Sequence, residues 1–152
     1  MNDELLGFVV RAKAGTYASG GGLVVEAVDG QHQHTYAEGS WHYLDRYVGG
    51  SNFCGQEIVW RAATPVWAMV YSATLVRPDI LDAGTAGQVI KSALSALYAQ
   101  GRFLGGWSTR VSGWDYLDTN EGDVTSFTGV EEISRDDVVC YRLHYSGGLV
   151  NE

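Results

Sequence analysis

Two glutamates occupy matching positions in two related stretches of this 152-residue chain. Glu57 and Glu131 each close the pattern Phe-x-Gly-x-Glu, within segments whose residue alternation predicts strands. If both carboxyl groups entered one cavity, burial and mutual repulsion would raise the pKa of one of them and create a general acid/base pair. One interpretation is therefore a hydrolase or isomerase that uses this pair. The other is structural, since a repeated Glu often forms an ion pair in the sheet, here with Arg61 or Arg135.

Two aspartates also repeat. Asp45 and Asp118 each end the pattern Trp-x-Tyr-Leu-Asp, and carboxylates so placed could act as ligands or bases. We expect them instead to be solvent-facing or close to a turn at the end of a strand, where Asp is common.

Aromatic residues are abundant. The chain contains five Trp and nine Tyr, which is more than a core of this size requires, so some should line a pocket or an exposed groove. Such surfaces bind through apolar area together with a few polar anchors. The candidate ligand-binding residues are Trp60, Trp67, Tyr71, Tyr145, Glu57 and Glu131.

Sequence motifs for standard catalysis are missing. His32, His34 and His42 form a loose group, but no carboxylate or cysteine accompanies them at metal-ligand spacing. No Gly-x-Ser-x-Gly nucleophile motif occurs, and the glycine run at 20–22 follows a predicted helix rather than preceding one, as phosphate binding would require. We therefore predict no catalytic residue, no metal and no cofactor.

The charge balance narrows the choice of partners. The net charge is −8 and no block of Lys or Arg occurs, so we expect no direct binding to nucleic acid. No run of residues is long and apolar enough for a membrane span, and no signal peptide is evident. Cys54 and Cys140 are predicted to be buried strand thiols of a reducing compartment, which favours the cytoplasm, and the alternative is a disulfide between them. The expected partner is a small molecule or a protein, and a homo-oligomer is compatible with the sequence.

The two sets of motifs belong to a longer internal similarity. Residues 41–72 align with 114–146 after one gap, with identities that include both Trp-x-Tyr-Leu-Asp and both Phe-x-Gly-x-Glu frames. Similarity of this kind usually marks a duplicated supersecondary unit. We predict one domain, 1–152, built from two repeats at about 3–76 and 84–148.

Each repeat is expected to be a helix followed by about four antiparallel strands, giving an α+β fold in which the two units are related by a pseudo-twofold axis. They would join either as one long curved sheet with both helices on its convex side or as two sheets around a shared core. Helices are predicted at 3–19 and 85–100. Strands are predicted at 34–38, 41–48, 53–60, 66–75, 108–111, 116–119, 124–127, 131–134 and 138–146, with a short extra strand at 23–27.

Several segments resemble an uncharacterised bacterial domain family. They are residues 12–18, 45–60, 65–71, 127–133 and 145–148, so the resemblance covers most of the chain. Members of that family occur alone or after a helix-turn-helix in predicted transcriptional regulators. The resemblance implies a sensor or interaction module, and it supplies no catalytic residue. We expect no DNA-binding segment of that kind in this sequence, which argues against direct control of transcription.

Together these observations favour a non-enzymatic module that binds a small molecule or a protein. The alternative is the hydrolase or isomerase that uses Glu57 and Glu131.

Overall fold

The computed structural model describes residues 1–18, 23–25 and 29–151, and this part of the chain forms two helices and nine strands. The helices are α1 (Asn2–Gly15) and α2 (Ala83–Tyr98). The strands are β1 (Leu23–Val25), β2 (His32–Glu38), β3 (Trp41–Gly49), β4 (Phe53–Arg61), β5 (Thr64–Leu75), β6 (Trp107–Val111), β7 (Trp114–Asp123), β8 (Ser126–Arg135) and β9 (Val138–Leu149).

Local sequence explains both helices. In α1, Asp3 and Glu4 lie in the first turn, where the helix dipole favours negative charge. Asp82 caps α2, because its Oδ1 accepts a hydrogen bond from the Thr85 backbone N–H at 2.8 Å. Each helix buries one apolar stripe. The buried residues that form these stripes are Leu5, Phe8, Val9, Val10 and Ala12 in α1, and Ala86, Val89, Ile90, Ala93, Leu94, Leu97 and Tyr98 in α2.

All nine strands form one antiparallel sheet in the order β1-β2-β3-β4-β5-β9-β8-β7-β6. The antiparallel sheet is thus confirmed, but the prediction of two helix-plus-four-strand repeat units related by a pseudo-twofold axis is wrong, and so is the alternative of two sheets around a shared core. A long ladder between β5 and β9, from the pair Trp67 and Leu149 to the pair Leu75 and Tyr141, makes the sheet continuous. Two separate sheets would have left both of these strands with unpaired backbone groups at an edge, and pairing them removes those edges.

Both helices pack on one face of this sheet. α1 contacts β2 and β3, α2 contacts β6 and β7, and the two helices contact each other. Buried and exposed residues alternate along the strands, so one face supplies the core and the other faces outward. Because the helices rest on strands near the two ends of the sheet, they leave space above its central strands.

Some element boundaries differ from the sequence prediction. β8 is one continuous strand, although two short strands were predicted at 124–127 and 131–134. Gly129, which lies between the two predicted strands, is part of β8, and the Tyr145 ring of β9 crosses over it. The predicted first helix extended to residue 19, whereas α1 ends at Gly15. Of the extra strand at 23–27, β1 covers 23–25, while residues 19, 26 and 27 lie outside the described part of the chain.

The structure also tests the sequence predictions about the cysteines and about membrane-spanning segments. Both cysteines are free thiols; Cys140 is buried, but Cys54 is exposed, so the prediction that both are buried is wrong for Cys54. In the described residues no helix is both long and apolar enough to cross a membrane.

Two glycine-to-alanine substitutions should have opposite effects on stability. A Cβ at Gly87 in α2 would meet nothing within 4 Å, so Gly87→Ala should raise the free energy of unfolding by about 0.5–1 kcal/mol. A Cβ at Gly129 would overlap the Tyr145 ring, so Gly129→Ala should lower it by about 1–3 kcal/mol. Urea unfolding measures both values. Equal effects of the two variants would contradict the close approach of Tyr145 to β8.

Candidate functional site

Charged side chains line the inner face of the sheet beneath the helices. Asp45 in β3 lies directly opposite Glu57 in β4, and Asp118 in β7 lies directly opposite Glu131 in β8. All four residues are at most 7% exposed. Side chains directly opposite each other on neighbouring strands have Cβ atoms about 4.5–5.5 Å apart. The fold therefore buries two cross-strand pairs of carboxyl groups.

Burial and mutual repulsion perturb these carboxyl groups. Burial raises the pKa of Asp45 to about 7, and the negative charge of Glu57 is the second-largest cause of this increase. Burial also raises the pKa of Glu131 to about 7, with the negative charge of Asp118 as the second-largest cause. Burial also raises the pKa of Asp118. Near neutral pH, Asp45 and Glu131 are therefore poised between their protonated and ionised forms.

One ammonium group is buried among them. Lys13 near the end of α1 lies against Glu57, with its Nζ 2.8 Å from Oε1 and 2.7 Å from Oε2. Only the Oε1 contact has hydrogen-bonding geometry. The side chains of Lys13 and Glu57 are 5% and 8% exposed. The Lys13 charge also lowers the pKa of Asp45, Asp118 and Glu131, although burial outweighs this effect. Lys13 thus partly offsets the negative charge of the whole group.

Tyrosine hydroxyls satisfy the other carboxyl groups. Tyr71 donates to Asp45 Oδ1 at 2.5 Å and Tyr145 donates to Asp118 Oδ1 at 2.6 Å. Tyr116 donates to Glu131 Oε1 at 2.5 Å. Burial raises the pKa of all three tyrosines, so their hydroxyls stay protonated and act as donors.

Two glycines make these contacts sterically feasible. Tyr71 lies opposite Gly55 in the β4–β5 ladder, and a Cβ at Gly55 would be 2.5 Å from the Tyr71 hydroxyl oxygen. Tyr145 lies opposite Gly129, where a Cβ would overlap the tyrosine ring. Each tyrosine therefore crosses over a glycine to reach the aspartate one strand further on. This is the physical reason for glycine in both Phe-x-Gly-x-Glu frames.

A cavity of about 320 Å³ lies between these polar groups and the helices. Lys13, the four carboxyl residues and several tyrosines line it, together with apolar residues of α2 such as Ile90 and Leu94. Its lining also includes exposed residues of the β3–β4 turn, Gly49–Ser51, and Ala83 at the start of α2. The cavity therefore opens between this turn and the first turns of α2.

A buried hydroxyl group in the cavity wall has no partner. Tyr141 in β9 is 2% exposed and lines the cavity, and its hydroxyl makes no hydrogen bond to the protein. An unpaired buried hydroxyl is unfavourable by roughly 1–3 kcal/mol.

The structure brings together four of the six predicted site residues, since Glu57, Glu131, Tyr71 and Tyr145 all line the cavity. The other two lie elsewhere. Trp67 is fully buried and stacks on Phe127, and its indole N–H donates to the Val124 carbonyl at 3.0 Å. Trp60 is half-buried and lies opposite the exposed His42, on the face of the sheet away from the helices.

The predicted ion pairs of the glutamates are wrong. Arg61 lies 3.4 Å from Glu4 and covers the Trp41 ring, and Arg135 covers the Trp114 ring at 3.6 Å. Neither arginine reaches a site glutamate, because both lie at the outer ends of their strands. The expectation that Asp45 and Asp118 face solvent is also wrong, since both are buried.

Sequence reasoning missed Lys13 and wrongly expected Asp45 and Asp118 at the surface, although a signal existed for each of them. In Trp-x-Tyr-Leu-Asp the Trp, Tyr and Asp alternate, so they share one face of the strand. The burial of Trp41 and Tyr43 thus implies burial of Asp45. Lys13 follows the apolar Val9 by four residues, which places it on the buried face of α1.

In the described residues no group of three or more His, Cys, Asp or Glu is arranged to hold a metal ion.

Comparison with known proteins adds a family. Residues 45–150 match the family described as a domain of unknown function (DUF5680), and the chain belongs to that family. The match includes all four site carboxyl groups and excludes α1, which carries Lys13. No curated protein and no solved structure matches the chain.

Removing the buried cation should be costly unless its partner is removed as well. Lys13→Met leaves Glu57 buried without its ammonium partner, so it should lower the free energy of unfolding by about 3–5 kcal/mol. The double variant Lys13→Met/Glu57→Leu removes both charges and should recover most of that loss. Urea unfolding of the two variants measures the difference. Equal instability of the single and the double variant would contradict the pairing of Lys13 with Glu57.

Stability should fall as the pH rises. The pKa values of Asp45 and Glu131 are raised in the folded protein, so the folded state binds protons that the unfolded state releases. This contribution to the free energy of unfolding is present at low pH and is lost as the pH rises through about 7. The loss amounts to about 1.4 kcal/mol for each unit by which the folded pKa exceeds the unfolded pKa. The exposed carboxyl groups with lowered pKa, such as Asp82, act in the opposite direction at lower pH, so measurement should start at about pH 5.

The measurement is urea unfolding from about pH 5 to about pH 8. The variant Asp45→Asn/Glu131→Gln cannot ionise at these positions and should show a clearly flatter pH dependence. Glu132→Gln is the matched control, because Glu132 precedes Ile133 in the same strand and pairs with Arg142 on the other face. A control that flattens the profile as much as the double variant would contradict the assignment.

Proposed function

We propose that this member of the DUF5680 family is a binding module that takes a small organic molecule into the cavity between its helices and the centre of its sheet. The observation that carries the proposal is the cavity of about 320 Å³ in which apolar surface and several buried polar groups converge. Ligand sites in proteins typically combine these features and start at about 300 Å³.

The energetics of the site support a functional role. Buried carboxyl groups destabilise a fold unless they are paired, and apolar residues would fill the same space at lower free energy. Four buried carboxyl groups around one cavity, three of them with a raised pKa, therefore indicate selection for something other than stability. Recognition of a ligand would account for their retention.

A regulatory role would follow from the position of the cavity. Lys13 and Tyr17 come from α1, Ile90 and Leu94 come from α2, and both pairs line the same space. A bound molecule would contact both helices and the sheet at once. The ligand could then shift the equilibrium between arrangements of the helix pair, as a sensor requires. The resemblance to domains of predicted regulators favours such a role, in a cytoplasmic setting.

A thermal-shift screen of small metabolites tests the proposal, because a ligand that binds only the folded state raises the melting temperature. The variant Gly87→Leu places a larger side chain in the cavity lining, near its opening. Ala96→Leu adds the same bulk at an exposed position of α2 and is the matched control. We expect compounds that stabilise the wild type and Ala96→Leu but not Gly87→Leu. A screen without any stabilising compound, or with equal shifts in both variants, would contradict the proposal.

Acid–base catalysis in the same cavity is a second proposal. Its support is Glu131, whose pKa of about 7 suits a general acid or base at neutral pH. Glu57 is engaged by Lys13, so it would act in the predicted Glu57/Glu131 pair only if that contact opened. Any compound found in the screen should be incubated with the protein and analysed for conversion. Conversion that persists in Glu131→Gln would exclude Glu131 as the acid or base.

A further inference from the structure

Lys13 is a primary amine enclosed in the wall of the cavity. Its Nζ lies 2.7 and 2.8 Å from the two carboxyl oxygens of Glu57, 4.0 Å from the Met69 sulfur and 5.3 Å from the centre of the Phe103 ring. Lys13 and all three of these neighbours line the cavity. The positive charge of Lys13 also lowers the pKa of carboxyl groups in both halves of the sheet. The amine is therefore placed where a molecule in the cavity would meet it.

The protein satisfies this ammonium group only in part. An ammonium has three N–H donors, but in the described residues Glu57 Oε1 is the one oxygen that accepts a hydrogen bond from Lys13. The other contacts are the long one to the Met69 sulfur and the face of the Phe103 ring, and both are weaker acceptors than a carboxylate. A nitrogen with a single N–H would fit these surroundings as well as an ammonium with three.

Glu57 is placed to accept a proton from the amine. Transfer of a proton from Nζ to Oε1, along their hydrogen bond of 2.8 Å, turns a buried ion pair into a neutral amine and a neutral carboxyl group. Charges held away from water are unfavourable, so burial favours this exchange. A neutral lysine amine in an apolar site is the nucleophile that forms Schiff bases with carbonyl compounds.

The need to keep Glu57 paired selects the class of reagent. Acylation of Lys13 would give a neutral amide and would leave Glu57 buried without a cation, which destabilises the fold. Condensation with an aldehyde gives an iminium ion, which keeps the positive charge and one N–H. The ion pair with Glu57 and its single hydrogen bond are then both retained.

The rest of the lining defines the body of the reagent. Ile90, Leu94 and Phe103 are buried apolar residues in the cavity wall. Carboxyl groups outnumber ammonium groups in the described lining, so a negatively charged body would be repelled. These features favour an uncharged aldehyde with an apolar body.

We propose that Lys13 captures an uncharged apolar aldehyde in the cavity as a protonated Schiff base, with Glu57 as proton acceptor and counter-ion. The neutral amine adds to the carbonyl carbon, and a proton passes from nitrogen to oxygen to give a carbinolamine. Glu57 then returns its proton to this hydroxyl group, the C–O bond breaks, and water leaves the iminium ion behind. The step needs no oxidant or reductant. This inference rests on the proposed function, because the aldehyde occupies the same cavity.

Reductive trapping on the wild-type protein tests the proposal. The chain contains two lysines, Lys13 and Lys91, and Lys91 is exposed on α2. The protein is incubated with hydrocinnamaldehyde or propanal and cyanoborohydride at neutral pH, and peptide mapping by mass spectrometry gives the rate of modification at each lysine. A purely structural Lys13 would react more slowly than Lys91, because it is buried.

We expect the opposite order. Hydrocinnamaldehyde should modify Lys13 at least about tenfold faster than Lys91, because the cavity holds the aldehyde next to the amine. Propanal should show a smaller preference, since it has less apolar surface to bury. Sulfosuccinimidyl acetate, an acylating reagent, should modify Lys91 first.

Variants identify the groups involved. Lys13→Arg keeps a cation beside Glu57 but has no amine that condenses with an aldehyde, so only the modification at Lys91 should remain. Glu57→Gln removes the proton acceptor and should slow the modification of Lys13 by at least about tenfold. Gly87→Leu narrows the opening and should slow it as well. Lys91→Arg is the matched control, because it makes the same substitution outside the cavity, and it should leave the rate at Lys13 unchanged.

The remaining outcomes overturn the proposal. Modification of Lys13 no faster than that of Lys91 with both aldehydes would leave Lys13 as a structural cation. An unchanged rate at Lys13 in Glu57→Gln would remove Glu57 from the reaction. The proposed function is decided separately, because the metabolite screen with Gly87→Leu supports it even if no aldehyde is trapped on Lys13.

Discussion

In the described residues four carboxyl groups are buried with one ammonium group, and the rest of this structure depends on that constraint. Charges taken out of water require compensation, and the molecule provides it in three ways. Lys13 pairs with Glu57, tyrosine hydroxyls donate to Asp45, Asp118 and Glu131, and the raised pKa values allow some carboxyl groups to hold a proton. The compensation is incomplete in charge, since four carboxyl groups and one ammonium group line the described cavity.

The tyrosine contacts show how sheet geometry serves this constraint. Tyr71 extends from β5 over Gly55 to Asp45 in β3, and Tyr145 extends from β9 over Gly129 to Asp118 in β7. The strands β5 and β9 are paired at the centre of the sheet. The hydroxyls that satisfy the aspartates therefore come from the central ladder, which no edge strand could replace. Continuity of the sheet and satisfaction of the buried charges are parts of one arrangement.

The cavity follows from the way the helices rest on the sheet. α1 and α2 contact strands near the two ends of the sheet and also contact each other. They therefore cover the space above β4, β5, β9 and β8 without filling it. Apolar side chains from the helices close the space on one side, and polar groups of the sheet face it from the other. Large apolar side chains on these strands would have filled the space, but the inward-facing positions include Glu57 in β4 and Glu131 in β8. The fold thus keeps an internal polar surface next to an opening.

Much of the local structure could be predicted from the sequence. The apolar stripes at helical spacing predicted both helices, and the alternation of residues predicted most strands within a few positions. The aromatic excess and the paired Phe-x-Gly-x-Glu frames pointed to Glu57, Glu131, Tyr71 and Tyr145, which line one cavity. Trp60 and Trp67 lie outside this cavity, and the abundance of aromatic residues does not distinguish a cavity wall from a core or an outer face.

What the sequence by itself determined is the type of each element and the residues that share a face, because these depend on neighbours only a few positions apart. The tertiary structure alone decided the β5–β9 pairing, the contact of Lys13 with Glu57 across 44 positions, and the cavity. Such features depend on which distant segments pack together and on how much water they exclude. A carboxyl residue in a strand has the same local sequence pattern whether its side chain contacts solvent or an ammonium group. Only the packing of distant segments decides which of the two it contacts.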